Sequence, residues 1–152
     1  MNELQFYRVL LACLTAAVAT ALLPAPSSPA REVFAGPVSA VVERVIDGDT
    51  IAVRARIWID QEISLIVRVR GIDAPENRAD CAAERALARR ATAYLTAATQ
   101  TGHVTLSEIS GGKYFGRVLA RVETAEGRDV AKSLLRVRLA RPYQGRSRRP
   151  WC

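Results

Sequence analysis

Two short turn segments hold four carboxylates in a chain that is otherwise strongly basic. They are D-G-D at 47–49 and D-A-P-E at 73–76. Carboxylate oxygens gathered at one point are the ligands that Ca²⁺ and Mg²⁺ require. Arg68 precedes the second segment by five residues, and a guanidinium beside such a metal suits a phosphodiester. If the fold brings the two segments together, the spacing predicts metal-dependent phosphodiester hydrolysis.

The residues between these segments alternate between apolar and polar side chains. A period of two predicts two strands, over 51–59 and 63–69, joined by a turn at Asp60-Gln61. Asp47-Gly48 is a tight-turn dipeptide that leads into the first of them. If the two strands pair, both carboxylate segments lie at one end of the sheet. We expect the apolar face of the first strand to point inward, and it comprises Ile51, Val53, Ala55, Ile57 and Ile59.

Two arginines lie on the polar face of the second strand. Arg68 and Arg70 alternate with Val67 and Val69, so both project away from the core side. This direction suits Arg68 as a phosphate-binding residue. We interpret Arg70 as part of a solvated strand face.

The remaining elements complete a recognisable order. A strand is predicted over 38–46, a helix over 80–100, strands over 103–109 and 118–124, and a short helix over 129–137 capped by Asp129. Three strands, a helix, two strands and a helix suit an OB-type barrel. We therefore expect an α+β fold, mainly β, with a five-stranded barrel, one long helix and one short helix. The expected core face of the long helix comprises Leu87, Ala91, Tyr94, Leu95 and Ala98.

The loop between the last two strands combines glycine, cationic and aromatic residues. It runs from Ser110 to Arg117 and includes Lys113 and Tyr114. Such a combination suits contact with a phosphate and a base.

The N-terminal region differs in composition from the rest of the chain. Residues 1–30 contain an apolar run, Val9 to Leu23, followed by a proline-rich stretch that ends in Ser28-Pro29-Ala30. The run is shorter than the roughly 20 residues of a membrane span, which favours a cleaved export signal. The alternative is an uncleaved membrane anchor. We expect a linker at 31–37, the barrel domain at 38–145 and a basic tail at 146–152.

The charge of the chain indicates a polyanionic partner. The formal net charge is +7 in 152 residues, and the pI is about 10.0. Such a surplus suits nucleic acid or an anionic membrane surface. No basic amphipathic helix strong enough for lipid binding is visible. Nucleic acid is therefore the favoured partner, a membrane is expected only if the N-terminal segment stays uncleaved, and no protein partner is evident.

Two cysteines remain if residues 1–30 are removed. Cys81 and Cys152 then allow one disulfide, or two free thiols in a reducing compartment. The arginine-rich end of the chain, 141–152, is accordingly either a disordered tail or a strap pinned by Cys152.

Four motifs together resemble the staphylococcal-nuclease-like (thermonuclease) family, in its short bacterial secreted form. They are I-D-G-D-T at 46–50, R-V-R-G-I-D-A-P-E at 68–76, K-Y-F-G-R at 113–117 and L-A-R-P-Y at 139–143. They fall in the family's order and cover most of residues 38–145.

The resemblance implies a Ca²⁺-dependent nuclease that hydrolyses DNA and RNA to 3′-phosphates, secreted or periplasmic, with a disulfide between Cys81 and Cys152. It implies that Glu76 acts as general base or orients the attacking water. The other implied residues are Asp49, Asp73 and the Ala74 carbonyl as metal ligands, Asp47 in the outer shell, Arg68 and Arg117 on the scissile phosphate, and Lys113, Tyr114 and Tyr143 on the nucleic acid.

Two departures from the family pattern bear on these implications. Ala74 replaces a common threonine, which a backbone ligand survives. Arg138 stands where glycine commonly ends the last helix, and we expect that helix end to be poorly closed. The alternative to a nuclease is a non-catalytic OB-fold module that binds nucleic acid, although the acids and arginines are retained together.

Overall fold

The computed structural model describes residues 32–112, 114 and 116–152. The expected export signal at 1–30, and Lys113, lie outside the described residues. The strands and helices are β1 (Val33–Phe34), β2 (Val38–Asp47), β3 (Thr50–Trp58), β4 (Gln61–Val69), β5 (Ile72–Asp73), α1 (Ala82–Ala98), β6 (His103–Gly111), β7 (Arg117–Thr124), α2 (Val130–Arg136) and β8 (Arg141–Pro142). In this part of the chain, neither helix is long and apolar enough to cross a membrane.

Five strands close into a barrel. The sheet order is β1-β6-β2-β3-β4-β7, and an additional pairing of β6 with β7 closes the ring, with β1 attached to β6 outside it. The pairing of β4 with β7 is parallel and begins at Ile66↔Arg117. This architecture confirms the predicted OB-type fold. The segment expected to be a linker contributes β1, which pairs with β6.

The apolar core fills the interior of the barrel and the space between the barrel and the two helices. Alternation places Val53 of β3, Val67 of β4 and Val122 of β7 inside, and all three are buried. Ala91 and Leu95 of α1 and Leu134 of α2 belong to the same apolar cluster. Ala88 is buried as well, although it was not among the helix positions predicted to face the core.

The tip of the β3–β4 hairpin differs from the prediction. Ile57 and Ile59 were expected to face inward, but they are 53% and 77% exposed. Pairing between β2 and β3 reaches Ala40↔Ala55 and goes no further along β3. Past Ala55 the β3–β4 hairpin extends beyond the end of β2, so the side chains of Ile57 and Ile59 stay exposed to solvent.

Arg70 also differs from the prediction, because it is not a solvated strand residue. Its Nη2 donates to the carbonyl of Glu108 and to the hydroxyl of Ser110, each at 2.7 Å. Glu108 has a positive φ of 51° and lies in the β6 bulge between Ser107 and Ser110. Arg70 therefore stabilises this bulge from the turn that follows β4.

The end of α2 is closed, contrary to the expectation from Arg138. The N–H of Leu139 donates to the carbonyl of Leu134 at 3.0 Å, and that of Arg138 donates to Leu135 at 3.1 Å. This is the pair of hydrogen bonds of a Schellman motif. Arg138 occupies its left-handed position with a φ of 58°, which costs a residue with a Cβ about 1 kcal/mol or more.

Replacing Arg138 with glycine should therefore stabilise the protein. We expect Arg138→Gly to raise the free energy of unfolding by about 1 kcal/mol, measured as a higher urea midpoint at unchanged slope. The matched control is Arg136→Gly, which lies within α2 and should lower stability by roughly 0.5–1 kcal/mol. Equal midpoints for the two variants would contradict the assignment of strain to Arg138.

Candidate functional site

The D-G-D segment forms a tight turn between β2 and β3. The Asp47 carboxylate accepts a hydrogen bond from the Asp49 N–H at 3.0 Å. A Cβ on Gly48 would lie 2.6 Å from the Ala91 Cβ and 2.8 Å from the Ala74 Cβ. Only glycine fits there, because the turn is wedged between α1 and the D-A-P-E segment.

Gly48→Ala should consequently destabilise the protein by about 1–3 kcal/mol, the usual cost of overpacking. The expected observation is a lower urea midpoint than that of the wild type. Gly111→Ala is the control, since a Cβ there would meet nothing within 4 Å. A wild-type midpoint for Gly48→Ala would show that the turn and α1 are less tightly packed than the distances indicate.

Arg68 joins the two carboxylate segments. Pairing of Thr50 with Arg68 places the side chain of Arg68 next to the turn. Its Nη1 lies 2.5 Å from Asp49 Oδ1, and its Nη2 lies 3.2 Å from Asp73 Oδ1. Asp49 and Asp73 are 1% and 5% exposed, so they are largely buried with Arg68 between them. We call these three residues, with Glu76 at their edge, the acidic cluster.

Ala74 completes the contact between the segments. Its N–H donates to Asp49 Oδ2 at 2.8 Å, and the residue is buried. No hydrogen bond to the Ala74 carbonyl is formed by the residues that the structure describes. The Ala74 carbonyl oxygen is therefore available as a ligand for a cation beside the two carboxylates.

The environment of Asp49 raises its pKa from an ordinary 3.8 to about 7. Burial is the main cause, because it disfavours the charged form. The Arg68 guanidinium lowers this pKa and the Asp47 charge raises it, while hydrogen bonds from Ala74 and Thr50 lower it. A carboxyl that is partly protonated near neutrality must release its proton before it can bind a cation.

Glu76 lies at the rim of this cluster and contacts an arginine that the sequence analysis missed. Arg148 forms an ion pair with Glu76 Oε1 through Nη1, and its Nε lies 2.8 Å from Asp73 Oδ1. Partial burial lowers the pKa of Arg148, but Glu76 and Asp73 raise it more, so it stays charged. The only signal for this contact in the sequence was the possible pinning of the tail by Cys152.

Glu84 is a second residue that the sequence analysis missed. Its carboxylate accepts a hydrogen bond from the Glu76 N–H at 3.1 Å. Its own N–H donates to the sulfur of Cys81, the N-cap of α1, at 3.3 Å. The spacing Cys81-x-x-Glu84 is that of a capping box, which could have indicated the cap but not the contact with Glu76.

Arg117 begins β7, and Tyr114 precedes it in the loop after β6. Ile66 pairs with Arg117, and Arg68 pairs with Leu119, so Arg117 and Arg68 share one face of the barrel wall. The guanidinium of Arg117 lies 5.7 Å from the centre of the exposed Tyr114 ring. The predicted phosphate-binding pair is thus placed on one face, two residues apart in register.

The residues from 141 to 152 form a fixed strap rather than a disordered tail, and we call them the C-terminal strap. It begins with β8, which pairs with β5 through Asp73↔Arg141. Tyr143 follows, donating its N–H to Gly71 and its hydroxyl to the Arg146 carbonyl. The strap ends in a disulfide between Cys81 and Cys152. The predicted disulfide is present, and Tyr143 lies beside the acidic cluster.

Comparison with known protein families matches this chain to the family described as staphylococcal nuclease homologue. The match spans residues 66–150, more than half of the 152 residues. It includes Arg68, Glu76 and Arg117, whereas the D-G-D turn precedes it. Comparison with curated proteins finds no match.

Proposed function

Because the chain belongs to the staphylococcal nuclease homologue family, and its function is therefore of the nuclease type, we propose that it is a Ca²⁺-dependent nuclease. Its substrate is DNA, RNA or both, and its products carry 3′-phosphates. The observation that supports this most directly is the contact of Arg68 with both Asp49 and Asp73 beside Glu76. We also propose that the protein is exported, because the Cys81–Cys152 disulfide suits an oxidising compartment.

The oxygen donors at the cluster fit a hard cation. Asp49 and Asp73 supply buried carboxylates, and Ala74 supplies its carbonyl. Among the described residues, the second oxygen of Asp73 accepts no hydrogen bond. Asp47 adds a further negative charge next to Asp49. Oxygen donors with this much negative charge suit Ca²⁺ or Mg²⁺, and the resemblance to the family favours Ca²⁺.

The roles of the remaining groups follow from the chemistry of the phosphodiester. A phosphodiester is anionic, and a bound divalent cation would offset that charge and polarise a phosphoryl oxygen. Arg68 and Arg117 bind the non-bridging oxygens and stabilise the charge that builds as water attacks phosphorus. Glu76 accepts a proton from the attacking water. The water oxygen bonds to phosphorus as the bond from phosphorus to the 5′-oxygen breaks. The 5′-oxygen takes a proton from solvent and leaves as a hydroxyl, so the phosphate stays on the 3′ side.

The first test is cleavage of single-stranded and duplex DNA by the purified protein, with Ca²⁺ and with excess chelator. We expect cleavage that needs Ca²⁺ and leaves 3′-phosphate ends, detected by labelling of the ends. Tight binding of DNA without cleavage, under any divalent cation, would replace this proposal with the non-catalytic binding module.

The raised pKa of Asp49 predicts a pH-dependent metal affinity. Below about pH 7 the carboxyl is largely protonated, and a cation must displace that proton. The affinity for Ca²⁺ should therefore fall by up to about tenfold per pH unit below 7.

Thermal unfolding provides the measurement. In the metal-free protein, the raised pKa contributes stability that is complete below pH 3.8 and is lost as the pH rises through about 7. Addition of Ca²⁺ should thus raise the melting temperature more at pH 8 than at pH 6. An equal increase at both pH values would exclude Asp49 as the group that titrates with metal binding.

A further inference from the structure

A cationic groove lies between the C-terminal strap and the acidic cluster. Asp73 and Tyr143 line it together with Arg146, Arg148 and Arg149. Arg146 and Arg149 are exposed, and their side chains form no ion pair within the described residues. Arg141 lines it as well, and four arginines against one aspartate leave the groove positively charged, although one of its walls is part of the proposed catalytic cluster.

The strap is held so that these arginines keep their positions. The Arg141 guanidinium donates to the Pro150 carbonyl at 2.8 Å and lies 3.6 Å from the centre of the Trp151 ring. The hydroxyl of Tyr143 closes the turn at Arg146 at 2.6 Å. With β8 at one end and the disulfide at Cys152 at the other, the strap is a preorganised surface, which lowers the entropic cost of binding a ligand.

Arg148 connects the groove with the acidic cluster. Its Nε and Nη1 contact Asp73 and Glu76, while its Nη2 forms no hydrogen bond or ion pair with a described residue. A guanidinium has five N–H donors, so Arg148 can hold these carboxylates and an outside anion at the same time. Its side chain is 42% exposed, which leaves room for that anion.

We propose that this groove binds the phosphates that neighbour the scissile one on the same strand of nucleic acid, with Arg146, Arg148 and Arg149 as their ligands. This proposal rests on the proposed function, because a scissile phosphate exists only if the protein cleaves nucleic acid. The occupant must be anionic, and one end of it must reach Asp73. A phosphodiester strand meets both conditions, because its next phosphate is one nucleotide away from the one being cleaved.

Binding without hydrolysis tests the groove directly. The probe is a fluorescein-labelled single-stranded thymidine oligonucleotide of about 12 residues, titrated with the purified protein in chelator and followed by fluorescence anisotropy. We expect the double variant Arg146→Gln/Arg149→Gln to weaken binding about tenfold at low salt, as two exposed ionic contacts would. The slope of log K against log salt concentration should fall by about 1.4, at roughly 0.7 for each phosphate.

The matched control also removes two positive charges. Arg56→Gln/Arg128→Gln changes exposed arginines on the β3–β4 hairpin and in the turn after β7. It should weaken binding far less than the strap variant. Equal losses for the two double variants would overturn the proposal, because they would reflect only net charge.

A variant of Arg148 tests whether this arginine binds a phosphate of the substrate or blocks access to the acidic residues. In Ca²⁺, Arg148→Gln should raise KM for the oligonucleotide by about fivefold more than KM for a dinucleotide, which does not extend along the groove. An increase in kcat would instead show that Arg148 blocks the acids, and would overturn its role as a phosphate ligand.

If the wild-type protein binds the oligonucleotide through Arg146 and Arg149 but cleaves nothing, the proposed function fails while the groove remains a binding site.

Discussion

Replacing Arg68 with alanine should lower kcat by about 100- to 1,000-fold, the usual loss when one group that stabilises transition-state charge is removed. The side chain lies between Asp49 and Asp73 at 2.5 Å and 3.2 Å, next to the carboxylates that are proposed to hold the metal. The measurement is the rate of cleavage of single-stranded DNA under saturating substrate and Ca²⁺. Arg56→Ala, at an exposed arginine of the hairpin, is the control and should keep the wild-type rate.

A loss of stability could imitate this result, because Arg68→Ala leaves two buried carboxylates without their cation. Arg68→Lys separates the two effects. Lysine keeps the positive charge and should restore most of the stability, but it lacks the planar fork that binds two oxygens at once. We expect kcat to stay low in Arg68→Lys at a near-native urea midpoint. Full turnover with lysine would mean that Arg68 acts only as a counterion.

Glu76→Gln should lower kcat by about 100- to 10,000-fold, because an amide cannot accept the proton of the attacking water. The Glu76 side chain is 47% exposed, so the replacement should change the urea midpoint little. The backbone contact of Glu76 with the Glu84 carboxylate survives the change and keeps the segment in place. Cleavage rates in saturating Ca²⁺ provide the measurement.

Glu43→Gln is the control for this second prediction. Glu43 is a partly exposed acid of β2 that pairs with Arg54, away from the cluster. Its replacement should leave the rate unchanged. Wild-type turnover in Glu76→Gln would remove Glu76 from the mechanism and leave the water to be activated by other groups.

The acidic cluster could be predicted because it depends on local patterns. Alternation fixed the faces of β3 and β4 near the turn, and D-G-D fixed the turn itself. As a result, Asp49, Arg68 and Asp73 lie together as expected. The same alternation was wrong for Ile57 and Ile59, because a sequence pattern cannot show where the neighbouring strand stops.

The long-range contacts of arginines could not be predicted. Arg70 reaches the β6 bulge, which depends on the register between distant strands. Arg148 reaches Asp73 and Glu76 only because the strap is anchored at both ends. Arg138 adopts a backbone conformation that its residue type disfavours, since two hydrogen bonds of the helix end require it. Tertiary structure thus determines the contacts of Arg70 and Arg148, while the hydrogen bonds of the helix end determine the conformation of Arg138.

The parallel pairing of β4 with β7 brings Arg68 and Arg117 onto one face of the barrel, so the proposed phosphate-binding pair forms only when these two strands have met. Arg68 and Arg117 belong to these two strands and are distant along the chain, so no partly folded segment can hold both on one phosphate. If the protein is the exported nuclease proposed above, a chain kept extended during export would lack this pair of arginines and would not cleave DNA.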